Sequence, residues 1–95
     1  MKEDDVRIDY TVQVWKEGRQ YVAHAMSLDV MSSGETPGAA RCALDEAVAL
    51  FLRTAADMGT LEQVLDDAGY TSGPTGWEAP VWVGIERHTL SVVAS

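Results

Sequence analysis

Residues 21–55 read YVAHAMSLDVMSSGETPGAARCALDEAVALFLRTA, and this stretch decides the fold of the chain. Its second half contains the start and stop signals of a helix over residues 37–58. The hydroxyl of Thr36 can accept a hydrogen bond from a free N–H of the first turn. Pro37 then falls at the first helical position, where its missing N–H costs nothing. Gly59 suits the left-handed residue that commonly follows a helix.

The predicted helix is amphipathic, so it requires a sheet that receives its apolar face. At about 100° per residue, that face consists of Ala40, Leu44, Ala47, Val48, Phe51, Ala55 and Met58. Charged residues lie off it, namely Arg41, Asp45, Glu46, Arg53 and Asp57. If Phe51 fills the core between helix and sheet, Phe51→Ala should cost about 3–5 kcal/mol.

The residues before this helix alternate in the manner of a strand with one buried face. Apolar side chains occupy every second position in residues 6–16, at Val6, Ile8, Tyr10, Val12 and Val14. Gly18 can supply the positive φ of a hairpin turn, so residues 20–26 are predicted to return as a second strand. That strand is apolar on both faces, which indicates a central strand or one covered by a second subunit. Residues 30–33 are predicted as a short third strand.

The last third of the chain predicts a short helix, a loop and an extended segment. Thr60 and Gln63 have the spacing of a capping box, and Gly69 ends the helix that they begin. Glycines and a proline predict a loop over residues 71–79. In residues 81–93 the apolar alternation changes phase, which indicates a bulge or tight turn near residues 86–89. The segment is predicted to be the last strand of the sheet, a separate hairpin, or an arm that pairs with another subunit.

Together these elements predict an α+β fold. We expect a mainly antiparallel sheet of three or four strands with one long helix packed on a face, in the order β-β-β-α, followed by a short helix and a C-terminal strand. The 95 residues suit a single domain. Its core is predicted in residues 6–69, with a loop in residues 70–80 and a β extension in residues 81–95.

The formal net charge of −8 is large for a chain of this size. It argues against a phosphate-binding surface, which needs Lys and Arg to displace counterions. It suits either attraction to a basic partner or solubility alone. Cys42 is the single cysteine, so no internal disulfide can form. Because no stretch approaches the ~20 apolar residues of a membrane span and residues 1–5 lack the apolar segment of a signal peptide, we expect a cytoplasmic protein.

No motif in the sequence indicates catalysis, a cofactor or a metal site. His24 and His88 are isolated in sequence; His24 is expected to be a polar-face or interface residue of its strand, and His88 to lie in a solvated turn. Asp9 points outward from the first strand, but no second and third acid lie in register with it, as a metal-dependent nuclease would require. We expect no enzyme activity.

Six residues are instead candidates for a protein interface: Trp15, Trp77, Trp82, Cys42, Ala49 and Ala56. The three small residues recur every seven positions on the helix face opposite the core, where they would allow another backbone to approach; alanine is also simply a good helix former at a surface. Of the tryptophans, the first falls on the polar face of its strand and the second in the predicted loop. Aromatic residues outside a core are typical interface anchors.

Several ordered features of the central stretch match a known pattern. A strand ends in Tyr21-Val22-Ala23, a linker contains Leu28, a turn reads Gly34-Glu35-Thr36, and a helix rich in Ala and Glu follows. Over residues 8–55 the chain therefore resembles the HicB-like antitoxin family, small α+β proteins of bacterial toxin–antitoxin modules. It departs from the family at residues 37–39, which are Pro-Gly-Ala where acidic residues usually follow the threonine.

The resemblance implies a partial ribonuclease-H-like fold and a binding function, because HicB-like antitoxins hold and mask a small basic HicA-like ribonuclease toxin. Many members also carry a C-terminal DNA-binding domain. Only 26 residues (95 minus 69) follow Gly69 here, and they are broken by glycine and proline, so we expect no direct DNA binding by this chain.

The leading prediction is thus an antitoxin that occludes a basic toxin. The alternatives are a stand-alone HicB-like oligomer with a structural or regulatory role, and a small enzyme or RNA-binding module. We also expect a homo-oligomer and no membrane association.

Overall fold

Residues 6–94 are described by the structure, a computed structural model, and they form the predicted α+β architecture. Residues 1–5, where the sequence lacks a signal-peptide pattern, lie outside the described part, as does residue 95. The elements are β1 (Arg7–Ile8), β2 (Val12–Glu17), β3 (Gln20–Ala25), β4 (Val30–Gly34), α1 (Pro37–Asp57), α2 (Leu61–Asp67), β5 (Thr71–Gly73) and β6 (Gly76–Glu78).

The first sheet is antiparallel and has the strand order β2-β3-β4, so β3 is the predicted central strand. Gly18 adopts a φ of 64° in the turn between β2 and β3, which confirms the predicted hairpin. Ala23 and Ala25 of β3 are fully buried beneath α1. Small side chains at these two positions let the helix approach the middle of the sheet closely.

The start of α1 follows the sequence signals. The Thr36 Oγ1 accepts a hydrogen bond from the Ala39 N–H at 3.0 Å, and Pro37 occupies the first turn. The helix ends at Asp57, and Gly59 follows with a φ of 77°. Four residues of the predicted apolar face are buried, at Ala40, Leu44, Val48 and Ala55.

Two residues of the predicted core face are exposed. Phe51 is 38% and Met58 is 70% exposed, so the expectation that Phe51 fills the core is wrong. The 21-residue helix is about 31 Å long, whereas a strand of six residues spans only about 20 Å. The helix therefore extends beyond the sheet, and helical phase alone does not decide which residues of its C-terminal half are covered.

The predicted first strand over residues 6–16 is divided into β1 and β2. Its hydrogen bonds change partner along the way: the Asp9 N–H donates to the Trp77 carbonyl at 3.1 Å, and the Thr11 carbonyl accepts from the Met26 N–H at 2.9 Å. The alternation continues through this point, so the pattern of side chains does not reveal the change of sheet.

A second sheet has the order β1-β6-β5. Its central strand β6 is parallel to β1 and antiparallel to β5. The prediction of a loop over residues 71–79 is therefore wrong in part, since two short strands flank the turn at residues 74–75. A Cβ on Gly76, whose φ is 150°, would lie 2.1 Å from the Arg7 carbonyl oxygen. Glycine at this position is what allows β6 to lie against β1.

The short helix α2 forms as predicted, but without the predicted capping box. The Thr60 side chain makes no cap hydrogen bond; its hydroxyl donates to the Ala55 carbonyl of α1 at 3.3 Å. The Thr60 N–H bonds the same carbonyl at 2.9 Å, because the link from α1 is too short for Thr60 to leave the last turn of that helix. Leu65 of α2 is fully buried.

Residues 81–94, which we call the C-terminal arm, form neither a strand nor a turn. The predicted C-terminal strand, and the bulge or turn near residues 86–89, are therefore not found in the described part of the chain. Every residue of the arm is exposed. The molecule measures 62 × 28 × 25 Å, and its radius of gyration is 16.3 Å, compared with about 13 Å for a compact domain of this length.

Candidate protein-interaction surfaces

The face of the first sheet that lies opposite α1 is uncovered. Directly paired residues of antiparallel strands point to the same side, so the partners Trp15 and Val22 lie opposite the buried Ala23. We call this surface the outer face; it consists of Gln13, Trp15, Glu17, Gln20, Val22, His24, Met31 and Ser33. None of these residues is buried.

His24 is held in a fixed orientation near one end of the outer face. Its Nε2 lies 2.7 Å from the Asp29 Oδ1, and its Nδ1 lies 3.1 Å from the Gln13 Nε2. The tautomer with a proton on Nε2 satisfies both contacts, since that nitrogen then donates to the carboxylate and the other accepts from the amide. Asp29 reaches the ring from a tight turn in which it adopts a φ of 61°, a conformation that aspartate tolerates better than most residues.

Trp15 packs edge-on against this histidine, with the ring centroids 6.2 Å apart and the planes at 68°. Its Nε1–H donates to the Glu17 Oε2 at 3.1 Å. Both neighbours limit the rotation of the indole, so its exposed surface is presented in one orientation. A preoriented aromatic side chain loses little conformational entropy on binding a partner.

Beside the tryptophan the outer face forms an open, shallow depression of about 370 Å³. Val22 and Met31 form its apolar part, and Glu17, Gln20 and Ser33 form its polar rim. An apolar centre within a polar rim is the usual arrangement of a protein–protein interface.

The charged member of the outer face is negative, and Arg19 lies in the turn at its end. Glu17 belongs to the face and Asp29 lies at its edge, whereas no Lys or Arg is among its members. Lys16 points to the opposite side of β2, where its Nζ lies 5.9 Å from the Tyr21 ring centroid. Within residues 6–94 the two ion-pair contacts both join a histidine to a carboxylate, His24–Asp29 and His88–Glu86, and neither involves an arginine or a lysine.

A second apolar surface, which we call the groove, lies between α1 and β1. Its volume is about 490 Å³. Val6, Ile8 and Tyr10 line it on the strand side, and Ala49, Leu52 and Ala56 line it on the helix side. Among the lining residues within the described part of the chain, Arg53 is the charged one. The Tyr10 hydroxyl donates a hydrogen bond to the Asp45 carboxylate of α1.

The structure distributes the six predicted interface residues over several places. Trp15 lies on the outer face, while Ala49 and Ala56 line the groove. Cys42 is exposed on α1. Trp77 lies in β6 rather than in a loop, and it packs against the hydrophobic core. Trp82 belongs to the C-terminal arm and is 45% exposed.

Sequence reasoning placed His24 on a polar or interface face, and the structure puts it on the outer face. It did not identify Val22, Met31 or the contact between His24 and Asp29. The available signal was the weak alternation of residues 20–26, which placed apolar side chains on both faces of the strand. Since α1 covers only one face, the second apolar set had to lie on an open surface or beneath another molecule.

Among the described residues, no group of three or more His, Cys, Asp or Glu side chains is placed to hold a metal ion. No helix in residues 6–94 has both the length and the apolar character needed to cross a membrane. No protein-family model, curated protein or solved structure matches the chain.

Proposed function

We propose that the chain is a HicB-like antitoxin or antitoxin-related protein that binds and occludes a small basic protein partner, a ribonuclease toxin of the HicA-like kind. The observation that carries the proposal is the outer face, where a preoriented tryptophan lies beside a depression that contains Val22 and Met31, with the carboxylates of Glu17 and Asp29 nearby. We place the protein in the cytoplasm, where such a partner would act.

The charge of the chain supports a basic partner. The net charge of −8 would accelerate association with a cationic protein and would disfavour acidic competitors. Occlusion requires binding alone, and the apolar and anionic groups of the outer face are suited to that role.

The proposal is tested by affinity capture from the native cells with three baits: the wild-type chain, a Trp15→Ala/Met31→Asp variant, and a Leu50→Asp control. Leu50 is an exposed apolar residue of α1 that lies outside the outer face and the groove. We expect the wild type and the control to retain one small basic protein in stoichiometric amount, and the outer-face variant to lose it. Circular dichroism of each bait checks that the fold is intact.

The captured partner is then purified and tested for ribonuclease activity with and without the chain. We expect the wild-type chain to suppress cleavage and to bind less tightly as salt is added, since opposite charges are screened. Absence of a basic partner, or equal retention by the outer-face variant, would refute the proposal.

The exposed C-terminal arm favours the second candidate function, a stand-alone HicB-like oligomer with a structural or regulatory role. Recovery of the bait alone, at a multiple of its monomer mass, would support this alternative.

A further inference from the structure

We infer that two copies of this chain form a dimer by exchanging their C-terminal arms, each arm lying in the groove of the other copy. This interface is separate from the outer face, and the inference does not depend on the proposed basic partner.

The arm is rich in large apolar residues, which is unusual for a segment that stays exposed to solvent. Val81, Val83 and Ile85 are 87%, 94% and 77% exposed, and Leu90 and Val92 are 85% and 74% exposed. Contiguous exposed apolar surface on a monomer marks an interaction site far more often than isolated apolar residues do. In an extended chain the first three of these residues lie on one side, since they alternate with period two.

The groove provides matching chemistry. Its lining is apolar on both walls apart from Arg53, and Ala49 and Ala56 keep the helix wall low enough for another backbone to approach. β1, which contributes Ile8, is an edge strand in the described part of the second sheet. An extended segment that lies there can place alternate side chains in the groove beside an open strand edge, as in other cases of strand addition.

The dimensions are also suitable. An extended segment of 14 residues spans up to about 46–50 Å, whereas the molecule is only 28 × 25 Å across its shorter axes. The arm of one copy is therefore long enough to reach the groove of the other copy.

The area is adequate for a stable pair. Each arm carries seven large apolar side chains, counting Trp82 and Val93 with those above. In an extended arm four of them, Val81, Val83, Ile85 and Val93, face the same side. At roughly 60–120 Å² each, two arms contribute on the order of 500–1,000 Å² of apolar surface on that side, before the matching surface of the two grooves is added. Reciprocal exchange about a twofold axis buries both arms and both grooves at once, and it leaves no open end for further growth.

The first test measures molar mass by light scattering across a wide range of protein concentration. We expect the wild type to approach twice its mass of 10.3 kDa. Val83→Asp/Ile85→Asp should remain monomeric, and Ala56→Glu should raise the dimer dissociation constant by at least about tenfold. The control Leu50→Asp, which adds the same single negative charge as Ala56→Glu but outside both surfaces, should dimerise like the wild type.

These variants should keep their fold, so that a loss of dimer is interpretable. The arm residues that are changed are exposed, and Glu at position 56 lies three residues after Arg53, a spacing at which opposite charges stabilise a helix. Far-ultraviolet circular dichroism monitors the helices of each variant.

A second test distinguishes exchange from an arm that folds back on its own groove. In a Cys42→Ser background, a tagged chain with Val83→Cys is mixed with an untagged chain with Ala56→Cys and oxidised. Exchange predicts a mixed disulfide between the two chains. When Leu50→Cys replaces Ala56→Cys, little mixed disulfide should form. The inference is overturned by a wild type that stays monomeric, by a dimer insensitive to the arm and groove variants, or by equal cross-linking of the control.

Discussion

Tyr10 connects the strand side of the molecule to the long helix. Its hydroxyl donates to the carboxylate of Asp45 in α1. Burial, together with the hydrogen bond and the negative charge of Asp45, raises the pKa of Tyr10 from 10.0 to about 12. Burial and the charge of Asp9 also raise the pKa of Tyr70, whose hydroxyl donates to the Asp9 carbonyl at 2.5 Å.

These pKa values predict a loss of stability in alkaline solution. Between about pH 10 and pH 12 the unfolded chain releases a tyrosine proton that the folded chain retains, so the free energy of unfolding falls as the pH rises. We expect the urea midpoint of unfolding to decrease as the pH rises through this range. In Tyr10→Phe the decrease with pH should be smaller. The same variant should cost about 0.5–1.5 kcal/mol at neutral pH, because the hydrogen bond is lost. An unchanged slope in Tyr10→Phe would show that Tyr10 is not responsible.

Leu44 and Phe51 provide a second prediction at the level of single residues. Leu44 is fully buried between α1 and the sheet, so Leu44→Ala should lower the free energy of unfolding by about 2–5 kcal/mol. Phe51 keeps much of its ring in water, so Phe51→Ala should cost about 1 kcal/mol or less. Chemical denaturation of both variants checks the difference, and equal losses would contradict the placement of Phe51.

The contrast between these two residues shows what helical periodicity predicts. Periodicity correctly assigned Leu44 and Val48 to the core, because both lie where the sheet covers the helix. It assigned Phe51 and Met58 to the same face with equal weight, but coverage varies along that face: Ala55, one turn beyond Phe51, is buried, whereas Phe51 and Met58 are exposed. Which neighbours cover the C-terminal half of the helix depends on the rest of the fold, which the helix sequence does not contain.

At the scale of elements, the contact between β4 and the first turn of α1 depends on a glycine. A Cβ on Gly34 would lie 2.7 Å from the Ala40 nitrogen and 2.8 Å from the Ala39 carbonyl carbon, both backbone atoms. Backbone cannot move aside as a flexible side chain can. The absence of a side chain at position 34 therefore allows the helix to start directly over the end of β4.

Two glycine substitutions test this contact. Gly34→Ala should lower the free energy of unfolding by about 1–3 kcal/mol, because the helix start must shift. Gly38→Ala is the matched control. The atom nearest to a Cβ at this position, the Thr36 Oγ1, is 4.0 Å away, and alanine in a helix should raise stability by up to about 1 kcal/mol. Similar effects of the two substitutions on thermal or urea unfolding would disprove the account.

Local signals were sufficient to predict α1 and the β2–β3 hairpin, because Thr36, Pro37 and Gly18 act on the backbone next to them. The division of residues 6–16 between two sheets could not be predicted in this way. Alternation reports which side of a strand is buried, but it does not report which strand accepts its hydrogen bonds. Strands β5 and β6 could not be predicted from local signals either, because each is only three residues long and contains glycine.

On the scale of the whole molecule, the proposed interaction surfaces combine residues that are distant in sequence. Trp15 could be singled out because it interrupts the polar side of a strand. Its neighbours Val22 and Met31 are ordinary apolar residues until the sheet places them together on an uncovered face. The groove likewise joins Ile8 to Ala56, and only the folded chain brings the two together.

If the arms are exchanged, stability must depend on protein concentration, because association stabilises the folded state by mass action. We expect the thermal midpoint of the wild type to rise with concentration and that of Val83→Asp/Ile85→Asp to stay constant. At high dilution the two should converge, since Val83 and Ile85 are largely exposed on their own subunit. A midpoint that is independent of concentration in both proteins would contradict the exchanged dimer.

The parallel pairing of β1 with β6 has a consequence for the order in which the chain assembles. The first sheet and α1 join neighbouring segments, whereas Arg7 pairs with Gly76 and so closes a loop of most of the chain. Such closure is entropically costly and is expected late in folding. The second sheet should therefore be the last part to form and the first to open. Native-state hydrogen exchange gives a free energy of opening for each amide. We expect this value to be smaller for the Asp9 amide, which donates to the Trp77 carbonyl, than for the amides of β3.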